Sequence, residues 1–255
     1  MSILSDREIK KLCTLPTFMV TTMEPSVQPQ NCDVFMLPYQ LITYTYKTKE
    51  ELDKLQKPSP MNGDLGLVSY RELTDEEKAN YPLMISPYSP KQNRFDDNGN
   101  KCISWGESSF GYDVRLADEF KIFSNINSTI IDPLDFNQSC CVDHKGPFCI
   151  VPPNSYILGK TIEEFDIPND VSVICVGKST YARVGAIVNV TPIEAGFKGP
   201  IVIEISNATS LPLKIYANMG ISQFIFFKGN VPCEVSYADR GGKYQNQKGI
   251  QTALP

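Results

Sequence analysis

In Pro200-Ile-Val-Ile-Glu-Ile-Ser-Asn207, the run Pro200–Ile205 reads as a β-strand with two unlike faces. Ile201, Ile203 and Ile205 share one face at the period-2 spacing of a strand, and Val202 and Glu204 share the other. Stretches of similar character lie on both sides of it: Phe120–Phe123, Ser155–Leu158, Val171–Val176, Ala186–Val190, Leu213–Tyr216, Ile221–Phe227 and Cys233–Tyr237. Turn residues separate them at intervals of roughly 10–15 residues, with no helical period between. From about Trp105 onward the chain is therefore expected to be mainly β, a sandwich or barrel-like fold.

Upstream the pattern changes. Ser5–Glu8, Thr48–Glu51 and Thr74–Glu77 are capping boxes, in which the two side chains satisfy free N–H groups at a helix start. They predict short helices near 6–13, 49–57 and 75–80, the last two stopped by Pro58, Pro60 and Pro82. Gln40–Tyr46 alternates as a strand, and Asp96-Asp-Asn-Gly-Asn100 is a turn. Proline is dense across 14–90, so this part of the 255-residue chain reads as a small mixed subdomain or a set of packed excursions.

Composition removes several function classes. Twenty-four basic residues against 29 acidic ones give a net charge of −5, which argues against a general nucleic-acid binder. The N-terminal MSILSDREIKKL has no apolar core, and no apolar run is long enough to span a bilayer, so a cytoplasmic protein without membrane contact is expected. Eight cysteines contain no C-x-x-C, and His144 is the only histidine, so reduced structural cysteines are expected and a zinc site is not.

Glu204 carries two readings, a solvated outer-face residue or a carboxylate beside apolar surface whose pKa desolvation would raise toward acid–base use. Gly177-Lys-Ser-Thr-Tyr-Ala-Arg183 follows an apolar strand and places hydroxyls and cations at its end. That is a phosphate cradle or a basic turn, and it is not a Walker A loop. Residues 238–255 are glycine-rich and polar, with Arg240, Lys243 and Lys248, and read as a flexible tail or a lid over a nucleotide. His144 in its polar turn and the adjacent Cys140 and Cys141 read as non-catalytic.

Taken in order, GYDVRLADEF (111–120), GKSTYAR (177–183), VNVTPIEAGFKG (188–199), IVIEISN (201–207), YANMGISQFIFF (216–227) and SYADRGGKYQNQKG (236–249) resemble the dCTP deaminases of the dUTPase-like superfamily. The resemblance covers 1–13 and about 84–250, which implies a single domain with an inserted mixed α/β segment at about 14–83. It implies a mainly β, distorted jelly-roll or β-barrel subunit with a few short helices, assembled as a homotrimer with active sites between subunits. The implied reaction converts dCTP and water to dUTP and ammonia, feeding pyrimidine deoxynucleotide synthesis. Mg2+ would enter on the substrate triphosphate, no zinc would be used, and dTTP is an expected inhibitor.

Carried over by position, Glu204 is the general base and acid, and Ser179 and Arg183 orient the water and support it. Lys178, Ser179, Thr180, Tyr181, Ala182 and Arg183 form the nucleotide loop, and Val202 and Ile203 flank the base. Gln223, Tyr237, Lys243 and Gln247 are further nucleotide contacts. The zinc-deaminase signatures H-x-E and P-C-x-x-C are absent from the chain. One departure concerns Glu194, which stands where many members have aspartate; in dUTPases that aspartate activates water for attack on the phosphate chain. The longer side chain moves the carboxylate by about a bond length, and a ~1 Å misplacement costs ~100-fold. Three readings follow: a dCTP deaminase, a bifunctional deaminase and dUTP diphosphatase that yields dUMP, and a catalytically silent nucleotide-binding regulatory trimer.

Overall fold

A computed structural model describes residues 1–14, 18–25, 39–46, 67–72, 74–76, 82–127, 129–189 and 191–254. The chain divides into two compact units, Met1–Cys13 with Leu83–Pro255, and Thr14–Pro82. Strand β1 (Ser2–Ile3) is followed by helix α1 (Asp6–Leu12), whose capping box forms as the sequence predicts, with Ser5 N and Oγ both 2.9 Å from Glu8 Oε2. In the second unit β2 (Phe18–Pro25) is the central strand between β3 (Tyr39–Tyr46) and β4 (Leu67–Glu72), both antiparallel to it. The helices expected near 49–57 and 75–80 lie outside the described residues, apart from 75–76.

The larger unit carries the remaining strands. They are β5 (Ile85–Ser86), β6 (Asn93–Phe95), β7 (Lys101–Ser108), β8 (Gly111–Phe123), β9 (Cys141–Lys145), β10 (Phe148–Val151), β11 (Tyr156–Asp166), β12 (Val171–Gly177), β13 (Ala186–Asn189), β14 (Lys198–Asn207), β15 (Leu213–Tyr216) and β16 (Gly220–Lys228). The path β1-β16-β8-β11-β14-β13 is a continuous antiparallel sheet, with β12 on the far side of β16. β8 holds the curl. Its residues 112–115 pair with β16, and 116–122 pair with β11, so one long strand turns a corner between two partners.

The core sits inside this curl. Ile203 and Ile205 of β14, Ile157 of β11, Phe224 and Phe226 of β16 and Tyr112 of β8 are all fully buried. Phe165 and Phe224 bring their rings to 5.2 Å. The outer alternation predicted for 200–205 is present, with Val202 and Glu204 half-buried between buried neighbours. Burial of so many β-branched and aromatic side chains at ~25 cal/mol per Å2 is the main force holding the curl closed.

Three details differ from the sequence reading. Strands β8 and β11 run well beyond Phe120–Phe123 and Ser155–Leu158, because their polar residues are paired on a curled sheet rather than exposed. A single helical turn, α2 (Ser179–Ala182), stands between β12 and β13. Cys233–Tyr237 is irregular rather than a strand: Cys233 N binds Asn169 O, and Ser236 is locked into a turn by Asp239, whose Oδ2 accepts from Ser236 N and Oγ. Those local side-chain bonds outcompete a ladder. No helix among the described residues is long and apolar enough to cross a membrane.

Candidate active site

Glu204 stands in the middle of β14, opposite Leu158 of β11 on one side and Asn189 of β13 on the other. It opens into a cavity of about 720 Å3 whose walls include Tyr156, Leu158, Pro192, Ile193, Phe197 and Val202. These walls strip water from the carboxyl. Burial pushes its pKa up from 4.5 to about 7, only partly opposed by a hydrogen bond from its own backbone. No cation pairs with it among the described residues. A carboxyl poised near neutrality can both take a proton from water and return it, the range that general acid–base work requires.

The tail forms the other wall. Tyr237, Tyr244, Gln247, Gln251 and Thr252 all line the cavity. The segment read as a flexible tail or lid lies along the loop before β14 as a run of turns. Tyr237 N donates to Ala195 O, Asn246 N to Lys198 O and Gln247 Nε2 to Pro200 O. The last bond orients the Gln247 amide and leaves Oε1 buried without a partner among the described residues, an acceptor available to a bound molecule. Lys243 is elsewhere, its Nζ donating to Leu254 O at 3.0 Å.

The 178–183 segment is not part of this cavity. Lys178 is mostly buried and ion-paired, with Nζ 2.6 Å from Asp113 Oδ2 and 3.3 Å from Ser104 Oγ. Gln92 Nε2 binds the same Asp113 oxygen at 2.7 Å. Tyr181 is a core residue whose OH accepts from Tyr216 N. Ser179, Thr180, Ala182 and Arg183 are exposed, and the Arg183 guanidinium has no hydrogen bond or ion pair among the described residues. Gln223 on β16 donates from Nε2 to Ser108 Oγ. Ile203 is fully buried in the core, so only its backbone lies beside Val202.

The structure thus gathers Glu204, Val202, Tyr237 and Gln247 around one cavity and leaves Lys178–Arg183, Gln223 and Lys243 outside it. Sequence reasoning missed Leu158 and Asp113. Leu158 carries no chemical signal of its own, whereas Asp113 lies in the GYDVRL segment and offered a carboxylate as a clue. Among the described residues no three His, Cys, Asp or Glu side chains form a group able to hold a metal ion.

A dCTP deaminase-like family model matches residues 67–229. The dCTP deaminase of Burkholderia mallei is 54% identical over 180 residues, covering 71% of this chain and 93% of the relative. That of Paraburkholderia phymatum is 57% identical over 167 residues, covering 66% of this chain and 88% of the relative. A crystal structure of 2'-deoxycytidine 5'-triphosphate deaminase from Agrobacterium tumefaciens aligns with a TM-score of 0.41 and 16% identity, over 57% of this chain and 44% of that one.

Proposed function

The chain belongs to the dCTP deaminase-like family and is an enzyme of that kind, and on this footing we propose that Glu204 catalyses hydrolytic deamination of dCTP without zinc. The observation that carries the reading is the isolated Glu204 carboxyl, held near neutrality by the apolar walls of its cavity. In its ionised form Glu204 takes a proton from water as the water oxygen bonds to C4 of cytosine and the C4=N3 pair moves onto N3. Glu204 delivers that proton to N4, the proton left on the new hydroxyl passes to N3, and the C4–N4 bond breaks as C4=O forms, giving dUTP and ammonia. The reaction supplies dUTP for pyrimidine deoxynucleotide synthesis in the cytoplasm. Mg2+ belongs to the substrate, carried on its triphosphate.

Val202 and the backbone of Ile203 flank the base, while Tyr237 and Gln247 cover it from the tail. Ser179 and Arg183 reach Glu204 from a second copy of the chain. Two features support that assembly. Arg183 is exposed and unpaired among the described residues, and exposed apolar side chains stand next to it in sequence (Val184, 52%) and on the flanking strands β12 and β13 (Ile174, Val176 and Ile187; 45, 40 and 56%). We take the closed assembly to be a trimer, with Lys178–Arg183 and Gln223 of one subunit and Glu204 of the next completing each site. Lys243 serves the triphosphate after releasing the Leu254 carbonyl.

Product analysis with MgdCTP tests the reading. Stoichiometric ammonia and dUTP, lost in Glu204→Gln while dCTP binding persists, is the expected outcome. Near wild-type turnover by Glu204→Gln would remove Glu204 from the chemistry. Tight dCTP binding with no turnover by the wild-type protein would identify a silent regulatory protein instead.

A further inference from the structure

The loop before β14 and the tail are joined along their length. Tyr237 N binds Ala195 O, Gln245 Nε2 binds Gly196 O at 3.0 Å, Gln245 Oε1 accepts from Lys198 N at 3.1 Å, and Asn246 N binds Lys198 O. Gly196 has φ +81°, and a Cβ there would fall 2.7 Å from Ser236 Cβ, so only glycine lets the tail approach this closely. All of these contacts run through backbone or amide groups. One charged contact stands among them, Arg240 Nη2 of the tail against Glu194 Oε2 of the loop.

Glu194 also lines the cavity that holds Glu204. Its carboxylate is therefore placed at the cavity rim with its charge directed to the tail. We propose that Glu194 is a positioning residue that holds the tail over the nucleotide through Arg240, and that it is not a second general base. This rests on the cavity being the nucleotide site. One of the two carboxylate oxygens, Oε2, is taken up by the Arg240 guanidinium, so the group is tied to the tail rather than to a water over the phosphates. The Ser236–Asp239 turn supports the same arrangement by fixing the start of the segment that carries Arg240. The pair is half-exposed, so its contribution is that of a screened surface contact.

Two readouts test it, one of which needs no activity. Deuterium exchange of the 236–247 backbone in the ligand-free full-length protein is expected to rise about fivefold in Glu194→Gln and in Arg240→Ala, and to return toward wild type in the charge-swapped Glu194→Arg/Arg240→Glu protein. In ammonia release, the single variants are expected to raise KM for dCTP by a similar factor with kcat within about twofold, and the swap to recover KM. Exchange that is unchanged in the singles, or unrescued by the swap, overturns the pairing. A collapse of kcat in Glu194→Gln, or pyrophosphate release that this variant abolishes, overturns the positioning role and puts Glu194 in the chemistry. Absence of deaminase activity in the wild-type protein would overturn the proposed reaction while the exchange measurement still judged the pair.

Discussion

Leu158 faces Glu204 directly across the β11–β14 ladder, and the two side chains share the cavity side of the sheet. Opposed residues of an antiparallel pair hold their Cβ atoms about 4.5–5.5 Å apart. An isobutyl group at that distance denies the carboxylate the water that would stabilise its charge. Leu158 is thus one of the apolar walls that desolvate the proposed base.

The first expectation concerns pH. Because the Glu204 carboxyl is raised to about 7, the ionised form needed to accept a proton disappears as pH falls below that value. The kcat/KM for ammonia release should rise with pH, about tenfold per unit on the acid side, and level off above about 7. Leu158→Asn should move this limb to lower pH by readmitting a polar neighbour. A limb that stays in place in the variant would assign the desolvation to other walls.

Glu204→Gln should lower turnover by about 10²–10⁴-fold, the usual worth of a positioned acid–base group. Its effect on stability has the opposite sign. The carboxyl binds its proton more tightly in the folded state than its reference value of 4.5, so its stabilising contribution is complete below that pH and is lost as pH rises through about 7. Removing the ionisation should therefore make the variant more stable than wild type at pH 8, by roughly 1–3 kcal/mol. Urea denaturation at pH 5 and pH 8 measures this, and equal stability differences at the two values would contradict it.

The proposed sharing of each site between two subunits predicts complementation. Glu204→Gln and Arg183→Ala proteins should each be inactive, and a co-refolded equal mixture should recover activity. Random assortment places both intact side chains at about a quarter of the sites. A mixture that stays inactive after confirmed subunit exchange would mean that Glu204 and Arg183 serve the site from the same subunit.

Arg115 offers a test of the scaffold. Its guanidinium lies 3.8 Å from the centre of the Trp105 ring, and its Nε is 2.8 Å from Oε1 of the fully buried Glu163, whose other oxygen takes the Arg115 backbone N–H. Burial raises the Glu163 pKa, with Arg115 opposing the rise. Arg115→Met leaves a carboxyl with no cation in the core and should cost about 3–5 kcal/mol, the loss growing as pH rises and the carboxyl is forced to ionise. Adding Glu163→Leu should restore most of it. Thermal melts of the single and double variants distinguish this from a simple packing defect, which the second change would worsen.

Much of the architecture was legible locally. The capping box at Ser5–Glu8 needs only four neighbouring residues, and α1 starts where it says. Period-2 alternation located β13, β14, β15 and β16 to within a residue or two, because each strand keeps one apolar face toward the core. It failed at Cys233–Tyr237, where the Ser236–Asp239 bonds impose a turn on a stretch with strand-like composition. Lys178 reads as a basic loop residue, yet its charge is met by Asp113, 65 residues earlier, and no local rule joins the two.

By itself the sequence determined which residues face inward on each strand and that Glu204 lies on the outer face of an apolar strand, because the pleat turns side-chain order into facing. It left open whether that outer face is wet. The tertiary structure decided this by laying Leu158 against one side of Glu204 and the 236–254 segment across the cavity, so that a residue readable as a solvated glutamate becomes a desolvated carboxyl. Desolvation depends on everything packed around a group, and here those neighbours come from distant parts of the chain, which is why only the folded molecule shows it.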